Sequence, residues 1–268
     1  MGQTTEHVDV RLKQLDQADW VAALGDDWSS AAQVFDHLER NSHHVDAIRE
    51  FPWERVLAER STVLDLACGS GWVTGLLSAR PDVERVIAWD ASEAQLREMV
   101  PQSVELVGGD ISKVETVCGF FAPLPLDDAS IDCAVLTSAF HHAERPGEVL
   151  AELIRVVRPG GAIILANETP HPRVTMLRWI LGFSAAAVVN SLFDRLHLTR
   201  PGHMAADHIL YDDRLGDRVL TMPQWRRLFS RHPVSVEMMD SGLAPYRRSF
   251  RAPGRGQSNL THFILRPA

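Results

Sequence analysis

The chain has 268 residues, 45% of them hydrophobic and 23% charged, a balance that excludes an intrinsically disordered chain and suffices for one core domain with a cap. Acids outnumber bases 28 to 13 over residues 1–169, whereas bases outnumber acids 14 to 7 over residues 170–268, for a net charge of −8; the later arginines are interspersed with acids, a pattern that argues against nucleic-acid binding. Cys68, Cys118 and Cys133 have no C-x-x-C spacing, so they support neither a disulfide framework nor a zinc site and fit a cytoplasmic protein.

Residues 1–60 carry no strand signal. Met1 to Trp20 is polar and acidic, unlike a secretory leader, while Val34, Leu38, Val45 and Ile48 recur at helical spacing until Pro52 breaks the run. An N-terminal helical cap is expected there. Residues 61–169 then alternate strand and helix signals, which predicts a parallel sheet with helices on both faces, a doubly wound α/β core. The predicted strands are Thr62 to Ala67, Arg85 to Trp89, Val104 to Gly108, Ile131 to Thr137 and Ala162 to Asn167. The predicted helices are Val73 to Arg80, Glu93 to Met99 and Glu148 to Val157, the last stopped by Arg158-Pro159-Gly160-Gly161. Residues 170–232 read as a helical lid insertion. Their most apolar stretch, Met176 to Phe193, contains Arg178 and Asn190 and is followed by Asp194 and Arg195, which suits a lid or buried helix better than a membrane span. Residues 233–268 supply two late strands, Val234 to Met239 and Leu260 to Leu265, expected to complete the core sheet as an antiparallel edge hairpin.

The chemistry is written most clearly in Val63-Leu-Asp-Leu-Ala-Cys-Gly-Ser-Gly-Trp72. An apolar strand runs into Gly69 and Gly71, which permit a tight turn and close approach of a ligand to the backbone. Helix-compatible residues follow, so backbone N–H groups face whatever binds. A dinucleotide fingerprint would place its third glycine one position earlier than Gly75. Asp65 is an acid inside the apolar strand, and a buried carboxylate is costly unless hydrogen bonds compensate it.

The combination D-x-A-C-G-S-G, Asp65 to Gly71, resembles motif I of the class I S-adenosylmethionine-dependent methyltransferases. The resemblance spans residues 62 to 169 and implies a mostly parallel, seven-stranded Rossmann-like sheet, S-adenosylmethionine as cofactor, and Asp65, Ala67, Gly69 and Gly71 around it. Asp90 ends the second predicted strand about twenty residues after the glycine turn, the spacing of a carboxylate that accepts ribose hydroxyls; it equally suits a cap for the next helix. Ala91 follows it. By resemblance Gln95 lies against the adenine, Asp110, with Ile111 beside it, accepts from the adenine amino group, and Thr137 and Ser138 line the methionine side.

His141 and His142 follow that strand, and an imidazole titrating near neutrality could take a proton from an acceptor; helix capping is the plainer role. Glu168, near the fifth predicted strand end, is a second polar candidate. His171, His197, His203 and His208 with Asp207, Asp212 and Asp213 do not close a metal site, so none is expected. With only Tyr211, Tyr246, Lys13 and Lys113, the chain has no Tyr-x-x-x-Lys apparatus for a nicotinamide dehydrogenase. The resemblance implies methyl transfer to a small organic molecule, partly apolar or carrying an anionic group, with no nucleic-acid or membrane partner and with a homodimer allowed. The rival reading is a non-catalytic cofactor-binding module.

Overall fold

The computed structural model describes residues 30–143, 145–170, 203–204, 210–211, 220–245 and 259–268. Most of the expected lid, and residues 1–29 of the expected cap, lie outside them. Two helices come first, α1 (Ala31–Asn41) and α2 (His44–Arg49). Ser30 caps α1 by accepting the Gln33 N–H, and Trp53 anchors the chain after α2 by donating from Nε1 to the Ile48 carbonyl at 3.0 Å.

The core alternates β1 (Ser61–Leu66), α3 (Trp72–Ser78), β2 (Val83–Asp90), α4 (Val100–Leu106), β3 (Val114–Cys118), β4 (Ile131–Thr137), α5 (Pro146–Val156) and β5 (Val157–Glu168). A short antiparallel pair, β6 (His203–Met204) and β7 (Leu210–Tyr211), stands apart from the main sheet. Then come α6 (Met222–Phe229), β8 (Val234–Asp240) and β9 (Thr261–Pro267). The seven-stranded sheet has the order β3-β2-β1-β4-β5-β9-β8. Strands β1 to β5 are parallel, and β9 runs antiparallel to both β5 and β8. The expected doubly wound sheet with an antiparallel edge pair is therefore the fold.

Both faces of the central strands are buried, as a parallel sheet requires. On one face Leu64, Leu66, Ala134, Leu136, Ile163 and Leu165 pack under α5 and α6, where Trp225 and Phe229 close on Phe263. On the other, Val63, Cys133, Val135, Ile164 and Ile264 pack against Val45, Ile48 and Phe51 from the N-terminal segment. The strand period of two thus assigns alternate residues to two separate cores. Among the described residues no helix is long and apolar enough to cross a membrane.

One predicted strand is wrong. Val104 to Gly108 belongs to α4 and its C-terminal cap, and the third strand is Val114–Cys118. Val100 and Val104, one turn apart, pack with Cys68, Leu96 and Ala88, so a tertiary contact at helical spacing overrides the β-propensity of valine. Gly108-Gly109, which looked like a strand end, closes a Schellman motif: Gly108, at φ +72°, donates to the Glu105 carbonyl and Gly109 to the Val104 carbonyl.

Candidate functional site

In an open α/β sheet ligands bind beyond the carboxyl ends of the strands, where the strand order reverses. Here that switch lies between β1 and β4. Asp65, in β1, is 1% exposed, and its Oδ2 accepts from Thr74 Oγ1 of α3 at 2.6 Å. Burial pushes its carboxyl up to about 7, with the Thr74 hydroxyl opposing the shift and the Asp90 charge adding to it.

From β1 the chain passes through Ala67, Gly69 and Gly71, all at positive φ. Asp90, at the end of β2, holds this turn from the side: Gly69 N donates to Oδ2 at 2.9 Å, and Ser92 N donates to Oδ1 at 2.8 Å. Burial raises the Asp90 carboxyl above its usual range, and the two N–H donors and His142 pull it back. Asp90 thus caps the turn after β2, and a carboxylate with two oxygens keeps further lone pairs for a ligand. Gln95 is buried and its Oε1 has no hydrogen-bond partner among the described residues.

At the end of β4, Ser138 takes φ +50°, and its N–H donates to Ala166 while its hydroxyl reaches the Asn167 carbonyl at 3.4 Å. Thr137 Oγ1 is enclosed without a partner among the described residues. The next turn, Phe140–His142, is fastened to β5 by Glu168, which is 1% exposed. Its Oε1 accepts the Phe140 N–H at 3.0 Å, and its Oε2 lies 2.9 Å from His141 Nδ1.

The structure therefore brings Asp65, Ala67, Gly69, Gly71, Asp90, Ala91, Gln95, Thr137, Ser138, His141, His142 and Glu168 to the carboxyl end of one sheet. It does not bring Asp110 or Ile111. Because β3 begins at Val114, both precede it at the opposite edge, where Asp110 N donates to Ser78 Oγ and its carboxylate caps the exposed Ile111–Lys113 turn. The true carboxyl end of β3, Cys118-Gly119-Phe120, carries no acid; there Cys118 reaches the Ala91 carbonyl and Trp89 Nε1 donates to the Phe120 carbonyl.

Three residues escaped the sequence reading. Thr74 supports Asp65, and its only signal was its place in the first turn after the glycines. Asn167, 2% exposed and at φ +56°, donates from Nδ2 to the His44 carbonyl of α2 and from its backbone N to His262 Nδ1 of β9. His262, fully buried, had no signal in its own strand. Burial lowers the His44 and His262 imidazoles to about 4 each, so both stay neutral at physiological pH.

Residues 64–165 match the family described as "Methyltransferase domain". The chain carries a class I S-adenosylmethionine-dependent methyltransferase domain. Over 107 residues it is 39% identical to an uncharacterized 37.1 kDa transposon protein of Streptomyces fradiae, covering 40% of this chain but 30% of that relative's length. Over 206 residues it is 28% identical to the demethylmenaquinone methyltransferase of Clavibacter sepedonicus, covering 77% of each. Among solved structures, geranyl diphosphate C-methyltransferase from Streptomyces coelicolor A3(2) superposes with a TM-score of 0.59 at 14% identity, over 92% of this chain and 88% of that one. That likeness is one of fold.

The cofactor of this methyltransferase domain is S-adenosylmethionine, and the residues present fit it. Apart from its chain neighbours, no atom of the described residues lies within 4 Å of where a Cβ on Gly69 would stand, so the turn offers open space for a ligand against its backbone. Asp90 sits beside that space, and the enclosed Thr137 hydroxyl and Gln95 carbonyl are polar groups without a partner among the described residues.

Proposed function

We propose that this protein transfers the methyl group of S-adenosylmethionine to a small organic acceptor. The observation that carries the proposal is the juxtaposition, on neighbouring strand ends, of the Gly69–Asp90 cradle with the half-buried His141 and its buried partner Glu168. When bound, the cofactor supplies a methyl on a positively charged sulfur, open to in-line displacement. The chain's own residues then have three tasks: to align the two reactants, to exclude water and to handle the acceptor's proton. Asp90 and Gly69 fix the cofactor side. Thr137 and Ser138 border the space between it and the acceptor.

The organisation supports a small acceptor. In this reading the core over residues 61–169 holds the cofactor and residues 233–268 complete the sheet, while the acceptor would be enclosed by the expected cap over residues 1–60 and lid over residues 170–232, most of which lie outside the described residues. The relative from Clavibacter sepedonicus is named for demethylmenaquinone, a precedent for an acceptor that is neither protein nor nucleic acid. Calorimetry with S-adenosylhomocysteine, S-adenosylmethionine and NAD, followed by a turnover screen of hydroxylated, amino and acidic metabolites, tests the reading. Binding of both sulfur compounds with methylated product is expected. Binding of NAD alone would refute the cofactor site, and tight cofactor binding without product from any acceptor would favour a regulatory module.

A further inference from the structure

On the face of the sheet that carries α5 and α6, the described helices end before the strands do. Strand β8 is the edge of the seven-stranded sheet, and α6 lies inside it, where Trp225 and Phe229 close on Phe263 of β9. The alternate residues Val234, Val236 and Met238 therefore turn one strand face toward the outer side of α6, with no further helix over them among the described residues. They form the floor of a groove of about 470 Å³ whose wall is one stripe of α6, Met222, Arg226 and Phe229. Val236 is 40% exposed and Met238 50%, which leaves an apolar strip of the sheet facing solvent.

The groove is apolar along its floor and basic at its rim. Residues 220–236 hold Arg226, Arg227, Arg231 and His232 and no acid. The three arginines are exposed, and among the described residues none of them is paired with a carboxylate. By contrast Arg55 meets Glu237, Arg85 meets Glu115, and Arg155 meets Glu152 and Asp128. Glu237, the one acid between Val236 and Met238, points to the opposite face of the sheet, where Arg55 holds it. No carboxylate of β8 therefore offsets the charge of the rim.

We propose that this groove docks an acidic amphipathic helix presented by a partner protein. The proposal goes beyond methyl transfer and does not depend on it. A helix is the element that the uncovered strand lacks: laid beside α6, it continues the helical layer over β8 and buries Val236 and Met238. From Val234 to Met238 the floor runs about 13 Å at ~3.3 Å per residue, the length of about nine helical residues. An apolar stripe at i, i+3, i+4 and i+7 fills such a floor. Acids flanking the stripe meet Arg226, Arg227 and Arg231, which steers the encounter and fixes the orientation. A flat lipid surface does not reach a floor recessed beside a helix, and nucleic acid, whose interfaces are polar, leaves that floor unfilled. A second copy of the chain sets the same three arginines against their like. An interface of this extent belongs to the weak, transient class.

The test uses the full chain and a synthetic helical peptide of about 20 residues, with leucines along one stripe and glutamates beside it, against a counterpart in which lysine replaces every glutamate. The glutamate peptide should bind saturably with a Kd in the micromolar range, more weakly as salt is raised, and the lysine peptide should not bind. Arg226→Glu, Arg227→Glu and Arg231→Glu together should reverse the preference, lowering affinity for the glutamate peptide at least about tenfold and admitting the lysine peptide. Met238→Ser should weaken the glutamate peptide about three- to tenfold while its salt dependence stays. Affinity for S-adenosylhomocysteine should be unchanged in every variant, since none of these residues belongs to the Gly69–Asp90 cradle. If the triple variant misfolds, Arg226→Glu alone should shift the two affinities in the same directions. Equal binding of the two peptides, no saturable binding of the glutamate peptide, or tighter binding of phosphatidylserine-containing vesicles or of a DNA duplex would each overturn the proposal. So would a dimer in sedimentation that Met238→Ser dissociates, which would give the groove to a second copy.

Discussion

Gly69 and Asp90 stand 21 positions apart in sequence, and the backbone N–H of the first donates to the carboxylate of the second at 2.9 Å across the ends of β1 and β2. The glycine turn and the acid after the second strand are therefore one unit. Asp90→Ala should leave the Gly69 and Ser92 N–H groups without their acceptor, loosening the turn as well as removing a ligand contact. We expect cofactor binding to weaken by about 1 to 3 kcal/mol, the cost of orphaned buried hydrogen-bond partners. Calorimetric titration of S-adenosylhomocysteine measures it, and an unchanged affinity would remove Asp90 from the cofactor site.

Asp65 gives the fold a pH dependence of defined sign. Its carboxyl titrates near 7 in the folded chain against 3.8 for an unperturbed aspartate. Below about pH 4 both states hold the proton. Between about 4 and 7 only the folded state does, so this group's favourable contribution is lost as pH rises through that window and is absent above it. Asp65→Asn keeps an oxygen for the Thr74 hydroxyl but cannot ionise. Relative to the parent it should gain about 1 to 4 kcal/mol between pH 5 and pH 8, at 1.36 kcal/mol per pKa unit. Urea unfolding at the two pH values checks it; parallel slopes for both proteins would show that Asp65 is not the titrating group.

What the sequence disclosed follows from how local each signal is. The β1 turn was legible because strand, glycines and helix start lie within about a dozen residues, and the period of two in β4 and β5 sorts residues onto two buried faces. Val104 to Gly108 was misread because a short valine-rich run before Gly-Gly has the same pattern as a strand end, and only its packing on Cys68 and Ala88 reveals a capped helix. The error moved the expected adenine contact to Asp110, on the wrong edge of the sheet. The hydrogen bond of His141 to Glu168 joins residues 27 apart, and that of Asn167 to His262 joins residues 95 apart. Strand order decides such contacts, and no local pattern carries them.

Gly71 and Gly69 should respond differently to the same substitution. A Cβ on Gly71, at φ +82°, would stand 2.8 Å from Val100 Cγ2 and 3.0 Å from Val100 Cα, so Gly71→Ala meets backbone that cannot rotate away. We expect a stability loss of about 2 to 5 kcal/mol, combining left-handed strain with overpacking. Gly69→Ala adds its methyl to open space at φ +53° and should cost about 1 to 2 kcal/mol of stability. It should nevertheless weaken S-adenosylhomocysteine binding at least about tenfold, or 1.4 kcal/mol, because in the proposed site that space is where the cofactor meets the backbone. Denaturation midpoints paired with calorimetry separate the two effects; equal stability losses would contradict the close approach of the Gly71 turn to Val100 of α4.

Asn167 ties three elements at the carboxyl end of β5. Its backbone N–H donates to His262 of β9, its carbonyl accepts from Ser138, and its Nδ2 donates to the His44 carbonyl of α2 at 3.0 Å. Because Asn tolerates the left-handed conformation it adopts at φ +56°, Asn167→Gly should preserve the chain path and remove only the side-chain link to α2. The expected loss is about 1 to 3 kcal/mol, since the His44 carbonyl is left without that donor. The local consequence is the more telling one. Hydrogen exchange of the α2 amides should accelerate selectively, with those of β1 and β4 protected as in the parent. Uniform acceleration across the sheet would mean that Asn167 supports the whole core, and that α2 is docked by Val45 and Ile48 alone.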